Sequence, residues 1–237
     1  MPALLHRSDV WLFTFVLSFI YPLVDRFFYS RLKSAMHVYI WNILAAWFLT
    51  AVGVFLIYRN GLELSDFGQT FGTYPRTLIV SIILVVLITT LVLVNRLQKH
   101  KPAPETLAKA TDNVRKLLPT TRAERLAVIP VALTAGFCEE LLYRGWLLNL
   151  IGYALKSPWA GLLISSILFG FAHLYQGRKA MLGTGILGLV IFGLSYIASA
   201  SLLPGQVLHA ALDLNNLLSF GKIASRVGSA GAPAPTT

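Results

Sequence analysis

Apolar residues run in long blocks along this chain, with most polar residues gathered between them. Val10 to Val24 is the first block, closing near Tyr21-Pro22. It lacks a basic start and a small-residue cleavage site, so it reads as a short spanning helix rather than a cleavable leader. Ser34 to Tyr58 is uncharged and long enough to span, with Trp41, Trp47 and Tyr58 expected as interface anchors. Thr77 to Asn95 is rich in leucine and β-branched residues, and it is too long for a strand. Leu126 to Leu155, Ser157 to Gly177, Ala180 to Leu203 and Gln206 to Phe220 complete the series. The pattern predicts an all-α fold: a polytopic membrane helix bundle of about seven transmembrane helices.

The connections differ in kind. Asp25, Arg26, Arg31 and Lys33 fall in a loop after the first block, and Arg59 to Arg76 is a mixed polar connection. Arg96 to Arg125 is the longest polar segment, broken early by Pro102 and Pro104. Within it, Glu105 to Leu118 places Leu107, Ala110, Val114 and Leu117 at helical spacing. That predicts an amphipathic helix on an anionic leaflet, or else a solvated linker helix. Gly228 to Thr237 is small residues and proline, which predicts disorder. Three regions follow: N-terminal spans with a basic loop over 1–125, a helical core carrying the chemistry over 126–220, and a cytoplasmic tail over 221–237.

Composition agrees. The 237 residues are 56% hydrophobic and 13% charged, against about 25% charged in soluble domains. The net charge of +10 does not indicate nucleic acid, because the basic residues flank the apolar blocks. Counted over seven spans, one side collects Arg26, Arg31, Lys33, the basic residues of 96–125, Arg178, Lys179, Lys222 and Arg226. The other side holds Arg7, Arg59, Arg76 and Lys156. The asymmetry predicts a cell-membrane protein with its amino terminus outside and its carboxyl terminus cytoplasmic. The single cysteine, Cys138, excludes an intramolecular disulfide and reads as a small buried hydrophobe.

Ionisable residues inside the late blocks change the picture. Between Arg125 and Lys156 the charged residues are Glu139, Glu140 and Arg144 alone. On a helix Glu140 and Arg144 share a face, and Glu139 points about 100° away. The next block carries His173, one turn after Phe169, and the last carries His209 and Asp213 on one face, with Asn216 seven residues on. Taken singly, Glu140–Arg144 is a structural ion pair, His173 a packing residue, and His209–Asp213 a self-satisfied pair. Taken together, these groups find partners if three helices aim them into one cavity. A glutamate beside a histidine can hold and deprotonate a water, and a second imidazole can donate to an oxyanion. One carboxylate and two histidines also match a zinc site with an open position. A proton-coupled carrier is a third reading of the same groups.

Glu139-Glu140-x-x-x-Arg144, Phe169-x-x-x-His173 and His209-x-x-x-Asp213, in this order, resemble the three motifs of the CAAX protease and bacteriocin-processing family, also called the abortive-infection family. The resemblance covers about Ile129 to Phe220. It implies an intramembrane glutamate-dependent endopeptidase in which Glu139 and His173 activate water. Glu140 and Arg144 would hold helix and cavity together, and His209 with the residue four later would stabilise the oxyanion. Asp213 departs from the asparagine of the CAAX-processing enzymes, and an ionised carboxylate cannot donate. It is therefore expected to be protonated or, preferably, to orient His209 from behind. No cofactor is expected, with zinc as the alternative because the family was long described as metalloproteases; a zinc mechanism would make Glu139, His173 and His209 the ligands, and Asp213 would be a tolerable one. The expected partners are the bilayer and a membrane-anchored or lipidated peptide, such as a C-terminal CAAX-like substrate, and not nucleic acid. The alternative is a non-catalytic membrane immunity or scaffold protein.

Overall fold

The computed structural model describes residues 2–97 and 112–230. Seven helical segments follow one another: α1 Ser8–Arg31, α2 Ala35–Arg59, α3 Tyr74–Leu97, α4 Arg122–Ala154, α5 Pro158–Gln176, α6 Arg178–Ser199 and α7 Leu203–Ala230. Each covers one of the predicted blocks, and no strand occurs among the described residues. The chain is thus an all-α bundle. Five segments (α1, α2, α4, α5 and α6) are long and apolar enough to cross a membrane by length and composition. α3 offers a shorter apolar stretch, Tyr74–Thr90. α7 carries Asp213, Asn215 and Asn216 and is not among the five. Large apolar side chains cover the outside as well as the core, with Leu12 64% and Phe48 68% exposed. Helices apolar all round suit lipid surroundings.

α4 is the central element. Thr121 caps it: its Oγ1 accepts from the Glu124 N–H at 3.2 Å, and the Glu124 carboxylate accepts from the Thr121 N–H at 2.9 Å. Pro130 lies inside the helix, and beyond it the turns widen to π geometry at Ala135–Glu139 and Leu141–Leu148. Widened turns of this kind turn side chains away from the α-helical register. α2, α5 and α7 all pack against α4, and every residue from Leu141 to Leu148 is buried. Phe67, from the Leu64–Phe67 turn, stacks on Trp146. The Trp146 indole N–H donates to Thr14 on α1. Gly136 lets α4 and α7 touch: a Cβ there would stand 2.6 Å from the Gln206 carbonyl oxygen and 2.9 Å from Ala210.

Four expectations change. α1 does not end at Pro22. A π turn at Val16–Ile20 precedes the proline, which then sits in the first turn of a continuing helix that runs to Arg31. Asp25 is consequently a buried helical residue and not a loop residue. Trp41 and Trp47 donate to Asp25 Oδ1 at 2.8 Å and Thr134 Oγ1 at 3.1 Å, and the Trp47 ring remains 46% exposed. At the other end, α7 continues past Phe220 to Ala230 because the next proline is Pro233; residues 231–237 of the expected tail lie outside the described residues. Of the expected amphipathic helix, 105–111 lie outside the described residues. Asp112–Leu117 is a short 3-10 turn tied to the bundle. Tyr39 and Tyr29 hydroxyls donate to the Leu117 and Asn113 carbonyls, and Lys116 Nζ caps α1 by donating to the Tyr29 and Ser30 carbonyls. Cys138 is fully buried and free, as its small apolar character suggests.

Candidate active site

α4, α5 and α7 bring their ionisable residues to one cavity of about 300 Å³. Glu140 is at the base of the arrangement and 1% exposed. Its Oε1 accepts from Arg144 Nη1 at 3.1 Å, one turn along α4, and from His209 Nδ1 at 2.9 Å, across on α7. The Arg144 guanidinium is itself buried and lies over the Phe169 ring, 4.1 Å from its centroid. Its Nη2 finds no partner among the described residues and sits close to Gly188, where a Cβ would approach to 2.6 Å. The His209 ring stacks on Phe192 at 4.8 Å and 19°.

His173 is fixed from its own helix. Its Nδ1 lies 2.9 Å from the Phe169 carbonyl oxygen. A carbonyl only accepts, so Nδ1 carries the proton, and in the neutral ring Nε2 presents a lone pair. That Nε2 stands 3.8 Å from Glu139 Oε2, and His209 Nε2 stands 3.8 Å from the same oxygen. Asp213 Oδ2 is 3.7 Å from His209 Nε2. Glu139 Oε2 is buried and has no hydrogen-bond partner among the described residues. Buried carboxylates are rarely left so.

Each residue singled out in the sequence therefore has a place. Glu139, His173, His209 and Asp213 line the cavity, and Asn216 lines it one turn further along α7. Glu140 and Arg144 form the buried pair that the spacing predicts. Phe169 supplies both the carbonyl under His173 and the ring under Arg144. One expected role changes hands: Asp213 is not behind His209 but faces its Nε2 from the cavity side, and the carboxylate behind the ring at Nδ1 is Glu140. Asp25, Tyr21, Tyr143 and Tyr175 also line the cavity without having been singled out as site residues. Asp25 was hidden by its neighbour Arg26, although Tyr21 four residues earlier shares its face; Tyr143 shares the Glu139 face by the same spacing.

Two imidazoles and a carboxylate are ligand types that zinc accepts. However, among the described residues no three His, Cys, Asp or Glu side chains are grouped to hold a metal ion. The 3.8 Å separations exceed the roughly 3.3 Å between ligands of a tetrahedral zinc.

Comparison with known proteins matches residues 121–215 to the family described as Rce1-like, type II CAAX prenyl endopeptidase. This is the family that the three motifs resemble, and the match contains all of them. No curated protein and no solved structure matches the chain.

Proposed function

On the premise that residues 121–215 are a CAAX protease segment of the Rce1-like type, we propose that this membrane protein is an endopeptidase using water activated by Glu139 and His173. The observation that carries the reading is the partnerless, buried Oε2 of Glu139, with an imidazole Nε2 on two sides at 3.8 Å. A water seated there donates one hydrogen to Glu139 and the other to the His173 lone pair, leaving its own lone pair for the substrate. Its oxygen attacks the carbonyl carbon. The proton passes to Glu139 or His173 and then to the departing amine nitrogen as the C–N bond breaks.

His209 serves the developing oxyanion. Its Nδ1 proton is committed to Glu140, so the ring donates to substrate from Nε2 when it carries its second proton. Glu140 thus does for His209 what was expected of Asp213. Asp213, beside the same Nε2, is positioned to hold the water or to balance the imidazolium. The substrate in this reading is a membrane-associated peptide, since the group lies among helices of membrane-spanning character.

The test uses purified protein in detergent, a panel of quenched prenylated and unprenylated peptides, and a chelator. Glu139→Gln is expected to lower kcat by about 10²–10⁴-fold, the usual weight of a general base, and the chelator to leave cleavage intact. Full activity in Glu139→Gln sinks the proposal. Chelator-sensitive cleavage with stoichiometric zinc replaces water activation by a metal mechanism.

A further inference from the structure

The cavity has a second polar wall that water activation does not use. Asp25 lines it from α1 and is 2% exposed. Its Oδ1 accepts from the Trp41 indole at 2.8 Å, and among the described residues no basic side chain pairs with it. A carboxylate offers about four acceptor positions, and one indole N–H fills only one of them. Buried charges are ordinarily paired.

Three tyrosines share this wall. Tyr143 is 2% exposed, and its hydroxyl is buried without a partner. Tyr21 precedes Asp25 by one helical turn on the same face. Tyr175 stands on the His173–Gln176 turn, which packs against the later half of α1. All three line the same cavity as Asp25. A carboxylate and phenol groups on one cavity wall make surroundings for a cation: the carboxylate supplies the charge, and phenol oxygens and rings can receive it. The rest of the lining points the same way. Its described residues include Glu139 and Asp213 but no lysine or arginine, and Arg144 is engaged by Glu140 and Phe169.

We propose that Asp25, Tyr21, Tyr143 and Tyr175 form a subsite for a cationic group of the peptide substrate, a lysine or arginine side chain near the scissile bond. The inference rests on the peptidase reading for the nature of its ligand, and binding tests it apart from cleavage. The probes are short fluorescent peptides in detergent micelles, carrying lysine, norleucine or glutamate at one position that is moved along the peptide. They are titrated into Glu139→Gln protein, which does not consume them.

At the right position the lysine peptide is expected to bind at least about tenfold tighter than the norleucine peptide, the size of one charge-assisted contact. The glutamate peptide is expected to bind weakest. Adding Asp25→Asn removes the lysine preference, and Asp25→Glu retains it. Equal binding of the three peptides overturns the subsite without any change at Asp25, so the result does not depend on that variant folding. A preference that survives Asp25→Asn overturns it as well. Wild-type cleavage separates the two readings. Cleavage indifferent to lysine counts against the subsite alone. Lysine-selective binding with no cleavage of any peptide supports the subsite and counts against the peptidase.

Discussion

Glu139 and Glu140 are neighbours in sequence yet meet opposite nitrogens of one imidazole, Glu140 at Nδ1 of His209 and Glu139 near Nε2. Their substitutions should therefore part company. Glu140 holds two bonds in a buried, charged network, and breaking such a pair from either side costs about 3–5 kcal/mol. Arg144→Ala is expected to lower the thermal midpoint in detergent by roughly 10 °C, and activity falls with it. Glu139 Oε2 has no bond to lose, so Glu139→Gln should hold or raise the midpoint while abolishing cleavage, as expected where a site keeps a strained group for function. A midpoint drop in Glu139→Gln matching that of Arg144→Ala would make Glu139 structural. The Glu140–Arg144 pair was legible because one turn of one helix fixes it. Which carboxylate meets His209 Nδ1 was not, because that depends on how α4 is rotated against α7.

That rotation is an element-scale property, and glycine and widened turns set it. The spacing rules place Glu139 and Glu140 well apart around a regular helix. π turns at Ala135–Glu139 and Leu141–Leu148 flank them, and the thirty-residue block with Pro130 and several glycines gave no means of locating those turns. Contact with α7 runs through Gly136, one turn before Glu139 and Glu140. Gly136→Ala would press a methyl to 2.6 Å from the Gln206 carbonyl oxygen, and overpacking of this kind costs about 1–3 kcal/mol. Gly183→Ala on α6 is the control, since nothing lies within 4 Å of its Cβ position; there helix propensity alone favours alanine by up to about 1 kcal/mol. Gly136→Ala is expected to lower both the thermal midpoint and kcat, and Gly183→Ala to hold or raise the midpoint. Equal shifts in both variants would remove the close helix approach as the cause. Asp25 was missed at this same scale. A proline followed by charged residues reads as a helix end, but a proline in the first turn after a π segment lets the helix continue.

Across the whole molecule, basic residues divide the ends of the bundle. Arg31 closes α1 at one end, where Lys116 caps it, and Arg59 closes α2 at the opposite end. Under the positive-inside rule the first end is expected in the cytoplasm, and that orientation requires α3 to cross. α3 is the weakest of the early spans, apolar over Tyr74–Thr90, so the crossing is a sharp place to test the arrangement. Ser65 precedes α3 and Thr120 follows it, and both are exposed. Cys138 is buried, which leaves an introduced thiol as the reactive one. In intact cells, a membrane-impermeant maleimide is expected to label Ser65→Cys, and to label Thr120→Cys only after the membrane is opened. The reverse pattern inverts the bundle and puts the cavity end lined by Leu117 and Phe220 outside, where a cytoplasmic peptide could not enter from it. Labelling of both sites from outside would mean that α3 turns back without crossing. The parity of the later helices, and with it the side from which substrate reaches Glu139, would then change.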